Sequence, residues 1–438
     1  MSRSILFVAY FYPPCPDAGA HRPAAMVKHL RRLGHRVTVL TTAAYGREAD
    51  DGDDVVRTAD LQLARARIRG KDRVQAMYEA DTYSPRPHPL SRVLVPEPLV
   101  LAWLPFALPR ALRLHRAHRF DAVITTSPPE SGHLIGRALQ RRGAAWIADV
   151  RDAWNFEPLR PRFPTAAQRR LDEWLERRLL GGADVVTAVS RPAADDLRDR
   201  VGATVELVPN GWDPDLAPPV DGTAHEDAER MLDAARLSIV YTGRFGSYGR
   251  DPRPLVDALR SLAGSDRELA GRLELVFAGP YTDEELALLR TDVAPARMAV
   301  VGSLPRDRAL ALQRAADALL LIAAPGRSQL ANLKLFEYLA AERPILALAG
   351  GTEAGRIAAE AGAGEVARSD DVDAIAAALR RLADGTTGVP DPDRLREYSY
   401  PAVAERMAGV VDRAVAAPPI LRRDGNQADR KAARRRGG

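Results

Sequence analysis

A short apolar run, a loop bearing glycine or proline, and an amphipathic segment follow one another repeatedly along this chain. The first instance is SILFVAYFY, then PPCPDAGAHRP, then AAMVKHLRRLG, with HRVTVLTT as the next apolar run. In the helical segment Met26, Leu30 and Leu33 supply an apolar side, Ala25, Lys28 and Arg32 fall on another, and Gly34 ends it. The unit is strand, helix, strand, and parallel strands joined this way require a right-handed crossover.

The same grammar recurs in FDAVITTSPP, SGHLIGRALQRRG and AAWIADVRD, and again in ADVVTAVS, RPAADDLRDRVG and TVELVPNG. Between them AAQRRLDEWLERRLLGG is a charged helix with a glycine pair as its C-cap, and Ser190 is placed to cap the helix after it. Residues 213–236, rich in Pro and charge, break the rhythm and read as a linker. LSIVYTG restarts it, and LELVFAG, MAVVGS, ALLLIAA and PILALAG follow as further strands. Two doubly wound α/β domains are therefore expected, an N-terminal one over 1–212 and a C-terminal one over 237–400. A helix over 401–416 and a basic tail over 417–438 complete the chain. Ligands belong outside the carboxyl ends of the strands, in a cleft between the domains.

Composition removes several alternatives. An apolar fraction of 46% and a charged fraction of 28% are ordinary for a globular protein. Cys15 is the sole cysteine, which excludes an intrachain disulfide and a cysteine-based metal cluster. The formal net charge is +5, but LRRDGNQADRKAARRRGG carries seven Arg or Lys against two Asp, so the body is near neutral and no nucleic-acid partner is implied. That tail reads as disordered, either a solubilising end or a contact for anionic lipid. No signal-peptide pattern is present and no run reaches the roughly 18 apolar residues of a membrane span. LVLAWLPFALPRAL, residues 99–112, comes nearest; Pro105 and Pro109 interrupt it, and it reads as a helix packed on the core.

No GxGxxG follows a strand, no GxxxxGK[ST] occurs, and no GxSxG is found, which argues against a dinucleotide oxidoreductase, a P-loop enzyme and a serine hydrolase. The acidic triplets at 51–53, 213–215 and 391–393 sit in loop-like stretches and read as solvated turns, so no metal site is expected. What remains is a set of charges and glycines at strand ends. YTGRFGSYGR offers Gly243, Gly246 and Gly249 for close backbone approach beside Arg244 and Arg250, either a diphosphate cradle or a flexible loop with solvated arginines. QLANLKLFEYLAAERPILALAGG places Lys334 and Glu337 on one side of a short apolar helix, held to the core by Leu333, Phe336 and Ala340, then ends a strand at Gly350, Gly351 and Thr352, a second turn that could present N–H groups to an anion.

These pieces, in the order FYPPCPDAGAHRPAAMVKHLRRLGHRVTVLT, VITTSPPESGHLIGRAL, IADVRDAW, VTAVSRPAADDL, VPNGWDP, YTGRF and KLFEYLAAERPILAL, resemble the nucleotide-sugar-dependent glycosyltransferases of family 4, retaining enzymes of the GT-B fold. The resemblance covers most of residues 4–416. It implies two Rossmann-like domains, the N-terminal one holding the acceptor and the C-terminal one the nucleotide sugar. It implies that Arg244 contacts the donor diphosphate, with Arg250 standing where the family usually has lysine. Lys334 is implied near the phosphates, with Gly243, Leu335, Gly350, Gly351 and Thr352 also at the donor. Glu337 matches the family's ribose-binding glutamate. Gln329 stands where a first glutamate usually meets the transferred sugar; an amide can hydrogen-bond a hydroxyl but does not stabilise developing positive charge as a carboxylate does.

On the acceptor side the implied residues are Gly19, His21, His133 and Asp152, with Asp152 favoured over Asp149 because it lies beyond its strand; His133 reads equally as a histidine on a helix surface. Arg244, Arg250, Lys334 and His133 are the candidate catalytic groups. The reaction implied is glycosyl transfer to an acceptor hydroxyl with retention, needing no metal or other cofactor, on a glycan or lipid-linked acceptor. The setting implied is bacterial polysaccharide or glycolipid assembly, cytoplasmic and peripheral at the inner face of the plasma membrane. A nucleotide-sugar epimerase or hydrolase on the same fold, and a non-catalytic nucleotide-sugar-binding protein, remain open on sequence grounds.

Overall fold

The computed structural model describes residues 1–15, 18–47, 52, 54–61, 98–156, 163, 165–216, 222–246, 249–324, 328, 331, 333–388 and 390–417. Gln329 and the basic tail beyond residue 417 lie outside the described residues, as do Asp51 and Asp53 of the first acidic triplet. The described chain forms two compact units, Met1–Pro209 with the segment from Val403, and Asn210–Ala402.

The first unit is built on a seven-stranded sheet in the order β3-β2-β1-β4-β5-β6-β7. The strands are β1 Ser4–Ala9, β2 Arg36–Thr42, β3 Val55–Thr58, β4 Ala122–Ser127, β5 Ala145–Val150, β6 Val185–Ala188 and β7 Val205–Leu207. Every pairing is parallel, with Leu6 of β1 opposite Thr38 of β2 and Val123 of β4. All residues of β1 and β4 are buried, as a sheet covered by helices on both faces demands.

The proline-interrupted segment is one helix, Pro98–His118. Trp103, Ala107, Ala111 and Leu114 recur at helical spacing and are buried, while Pro105 and Pro109 are exposed. Burying a side chain as large as Trp103 contributes about 1.5–3 kcal/mol, which fastens the helix despite its prolines. Among the described residues no helix is long and apolar enough to cross a membrane. In the first helix, His21–Arg32, Ala25 is buried and Leu33 is exposed, the reverse of the sequence pattern, because the helix ends at Arg32 and Leu33 becomes its C-cap.

The second unit carries a six-stranded sheet, β10-β9-β8-β11-β12-β13. Its strands are β8 Leu237–Thr242, β9 Leu273–Ala278, β10 Arg297–Gly302, β11 Ala318–Ile322, β12 Ile345–Leu348 and β13 Gly364–Ala367, all parallel. In each sheet the order reverses beside the first strand, between β1 and β4 and between β8 and β11, the crevice where doubly wound folds bind ligands. Within 213–236 the helix Thr223–Glu229 turns Ala224 and Ala228 toward the second unit's core, and Met231 and Leu232 just beyond it pack there too, so residues 223–232 are packed structure. The last helix, Tyr400–Ala416, buries Val403, Met407, Val410, Val411 and Ala414. From Val403 it is held to the first unit by Arg3 Nε on Asp412 at 2.7 Å and Arg413 Nε on Glu206 at 3.0 Å.

Candidate functional site

In the second unit the helix Leu333–Ala340 begins near the end of β8. Leu335, Phe336, Tyr338 and Leu339 are its buried residues, so the anchoring face is shifted from Leu333, Phe336 and Ala340. Leu335 is wholly inside the core. Tyr338 Oη accepts from the Thr242 N–H at 3.0 Å and Gln313 Nε2 donates to Thr242 Oγ1 at 2.9 Å, which ties this helix to the carboxyl end of β8.

The fixed helix carries Lys334 against Gly243. Gly243 has φ +132°, a conformation that calls for glycine, and the Lys334 Cε and Nζ lie where a Cβ would be, so the ammonium end rests against the bare backbone. Burial lowers the Lys334 pKa to about 8; Glu337 opposes this, and the positive charges of Arg250 and Arg306 add to it. Lys334 forms no hydrogen bond or ion pair with any described residue. Glu337, one turn along, pairs with Arg306 Nη1 at 2.9 Å. Arg250 Nη1 donates to the Arg244 carbonyl at 3.0 Å, which also accepts from Tyr241 Oη at 2.7 Å, and the Arg244 side chain is exposed. Lys334, Arg250, Glu337 and Gly243 thus come together as the sequence implies, with Arg306 as an unanticipated member. Three cations around one carboxylate form a site whose unbalanced charge is positive, suited to a diphosphate.

The turn at Gly350–Thr352 is a poorer anion site than its sequence suggests. Gly350 N–H donates to Ala367 O at 2.8 Å and Thr352 N–H to Ala349 O at 3.1 Å, because the end of β12 continues onto β13 and the turn closes on itself. Thr352 caps the helix Glu353–Glu360, accepting from Gly355 N–H at 3.2 Å. Glu353, buried in the first turn, already supplies an anion to that helix start and is clamped by Arg356 Nε and Nη2 at 2.8 Å each. Gly351 is exposed with φ +79°. In the loop after β8, Gly246 N–H is likewise engaged, by Glu285 Oε1 at 2.8 Å.

In the first unit the corresponding strand ends are bound together by two arginines. Arg22, near the start of the helix His21–Arg32, grips Asp149 of β5 with Nη2 at 2.8 Å and Nε at 3.2 Å, and also donates to Pro209 O at 2.6 Å and Val208 O at 2.9 Å beyond β7. Thr126 of β4 and Thr187 of β6 donate to the same carboxylate at 2.9 and 2.8 Å. Burial pushes the Asp149 carboxyl up, but the Arg22 charge and these hydrogen bonds outweigh it and hold the group below the usual carboxylate range. Arg151 Nε donates to Ser127 O at 2.9 Å, Nη2 to Pro128 O at 3.2 Å, and Nη1 to Gly19 O, joining the loops after β1, β4 and β5.

Of the acceptor-side residues, Gly19, His21 and Asp152 lie in this region, with His21 and Asp152 half-buried. His133 does not line a surface. It is 0% exposed, its Nδ1 is 2.8 Å from Thr125 Oγ1, and that hydroxyl accepts from Trp146 Nε1 at 2.8 Å. Burial lowers its pKa to about 4, so the ring is a neutral core group. Its helix, Gly132–Gln140, comes so close to β5 that a Cβ on Gly136 would overlap the Trp146 ring, and this proximity encloses His133.

Arg22 and Arg306 are the residues that sequence reasoning missed. Each lies in the first turn of a helix, where the partial positive charge of the backbone disfavours a cation unless a carboxylate compensates it. That misfit, together with a carboxylate inside the apolar strand β5, is the signal that could have found the Arg22–Asp149 pair.

Two family models match the chain: a glycosyl transferase 4-like domain over residues 19–211 and a glycosyl transferases group 1 domain over residues 236–385. A search of the curated proteins found no match. Similar solved structures include sucrose-phosphate synthase from Thermosynechococcus elongatus, 18% identical with a TM-score of 0.64, covering 95% of this chain and 100% of that one. A glycosyltransferase from Rickettsia africae has 13% identity and a TM-score of 0.58 over 95% and 100% of the two chains. An α,α-trehalose-phosphate synthase (UDP-forming) from Burkholderia vietnamiensis has 13% identity and a TM-score of 0.58 over 94% and 100%. With both parallel-sheet units matched by glycosyl transferase domains, and with whole-length neighbours of the same architecture, the chain belongs to the glycosyltransferases of the GT-B fold.

Proposed function

We propose that the protein transfers a glycosyl residue from a nucleoside-diphosphate sugar to an acceptor hydroxyl with retention at the anomeric carbon, in bacterial polysaccharide or glycolipid assembly. The observation that carries this reading is Lys334: a half-buried ammonium, packed on a residue without a Cβ, that bonds no described residue. Such a cation is costly alone and is relieved by an anion of the size and charge of a diphosphate.

Departure of the sugar leaves charge on the β-phosphate, and Lys334, Arg250 and the exposed Arg244 are the cations that would stabilise it. This arrangement calls for no metal. Glu337 is suited to accept from both ribose hydroxyls, charged hydrogen bonds worth about 1.5–3 kcal/mol. The first unit supplies the acceptor side, where Arg151 holds the loops after β1, β4 and β5 in fixed positions.

A thermal-shift panel of UDP-, GDP-, ADP- and dTDP-sugars tests the donor reading, because a ligand of the native state raises Tm by mass action. One of the similar structures belongs to a UDP-forming synthase, which puts UDP-sugars first in the panel. Glu337→Ala should abolish the shift; an unchanged shift would refute the assignment of this helix. Product analysis by NMR then tests retention, and a sugar isomerised or hydrolysed without acceptor would favour an epimerase or hydrolase instead.

A further inference from the structure

The helix Ala166–Leu180 of the first unit has an outward face that the transfer reaction does not use. Trp174 is 56% exposed at its centre, whereas Trp103, Trp146 and Trp154 are all buried to 2% or less. Leu171, three residues earlier, is 46% exposed. Arg170 and Arg178 stand four residues to either side of Trp174 and Arg177 three beyond it, so all four neighbours share its face of the helix.

The charges of this helix are sorted by direction. Asp172 and Glu176 point inward and are hydrogen-bonded there: Asp172 accepts from Trp154 Nε1 at 3.2 Å, and Glu176 from Arg200 Nη2 and Asn155 Nδ2, both at 2.9 Å. Arg170, Arg177 and Arg178 are exposed, and their side chains bond no described residue. The outer surface therefore shows arginines, a tryptophan and a leucine, with Glu173 as the one exposed acid of the helix.

We propose that this face docks the protein on an anionic lipid surface, with Trp174 and Leu171 entering the headgroup layer and Arg170, Arg177 and Arg178 meeting lipid phosphates. An amphipathic indole ring is suited to the headgroup level, and cations that lack partners on the protein complement a negatively charged leaflet. A tryptophan and a leucine side by side on a convex helix give the apolar insertion that charge alone would not.

Sedimentation of the full chain with vesicles tests this. The protein should partition onto phosphatidylglycerol/phosphatidylcholine vesicles and not onto phosphatidylcholine alone. The triple substitution R170A/R177A/R178A should lower partitioning roughly a hundredfold, at about fivefold per cation. Trp174→Ser should lower it roughly tenfold with Tm unchanged, since the side chain is outside the core. Brominated lipid should quench a part of the fluorescence that Trp174→Phe removes. Absence of binding to the anionic vesicles would overturn the proposal. So would binding retained by every variant, which would assign it to the basic tail, or a self-association abolished by Trp174→Ser, which would make the face a contact between copies.

Discussion

Each unit carries an arginine in the first turn of a helix and pairs it with a carboxylate, yet the two pairs differ in exposure. Arg22 and Asp149 have side chains 4% and 2% exposed, and the carboxylate has two threonine donors besides the guanidinium. Arg306 and Glu337 are 46% and 15% exposed, and no further donor to Glu337 is found among the described residues. A closed, fully satisfied pair organises the ends of its strands and has little capacity left for a ligand. An open pair has acceptor sites to offer and can exchange partners without leaving a charge stranded. A pairing of arginine with carboxylate thus locks strand ends together in the first unit and stays open to solvent in the second, where the proposed function gives it a ligand to meet.

The sharpest way to break this comparison is Arg22→Ala. It leaves Asp149 buried without its cation and should cost about 3–5 kcal/mol in chemical denaturation; a loss below 1 kcal/mol would deny the pair its structural role. Glu337→Ala should do the opposite, weakening nucleotide-sugar binding by about 1.5–3 kcal/mol in calorimetry while unfolding stability changes little.

The pH dependence of donor binding sharpens the contrast further. In the free protein the Lys334 ammonium titrates near pH 8, so below that pH it is charged and attracts the diphosphate. Affinity should fall as pH rises through about 8, by at most tenfold per pH unit. A flat profile from pH 7 to 9.5 would place the diphosphate elsewhere. The sign for stability is separate: the native state holds the Lys334 proton less tightly than the unfolded chain, so this group destabilises the fold below about pH 8 and the penalty is relieved as pH rises towards 10.5. The smallest effect is expected for Arg306→Ala, within about 1 kcal/mol of stability because the pair is open to solvent. A larger loss would make Arg306–Glu337 a structural pair like its counterpart.

Much of the fold was legible because eleven of the strands are apolar runs bounded by glycine, proline or helical segments. The two that escape, β3 and β13, are four-residue edge strands, mostly half-buried, whose pairing is decided by the neighbouring strand more than by their own residues. At the site, Lys334 and Glu337 were legible as charges on an otherwise apolar helix. His133 was not, since a histidine at the start of a helix reads alike on a surface or beneath one, and only the approach of Gly136 to Trp146 encloses it. The turn at Gly350–Thr352 has the composition of an anion-binding loop. Its Gly350 N–H is directed to Ala367 by the register of β12 on β13, a long-range fact absent from the local sequence, while its Thr352 N–H closes the turn on Ala349.

By itself, then, the sequence determined the alternation that makes two parallel sheets, the glycines at strand ends, and the placing of Lys334 and Glu337 on one short apolar helix in the second unit. These are properties of short windows, where periodicity and backbone freedom act locally. Only the tertiary structure decided which charges are locked and which are open. Arg22 meets Asp149 across 127 positions of the chain, while Arg306 and Glu337 remain near solvent. Burial and partner number, which set the difference, are properties of packing and have no local signature.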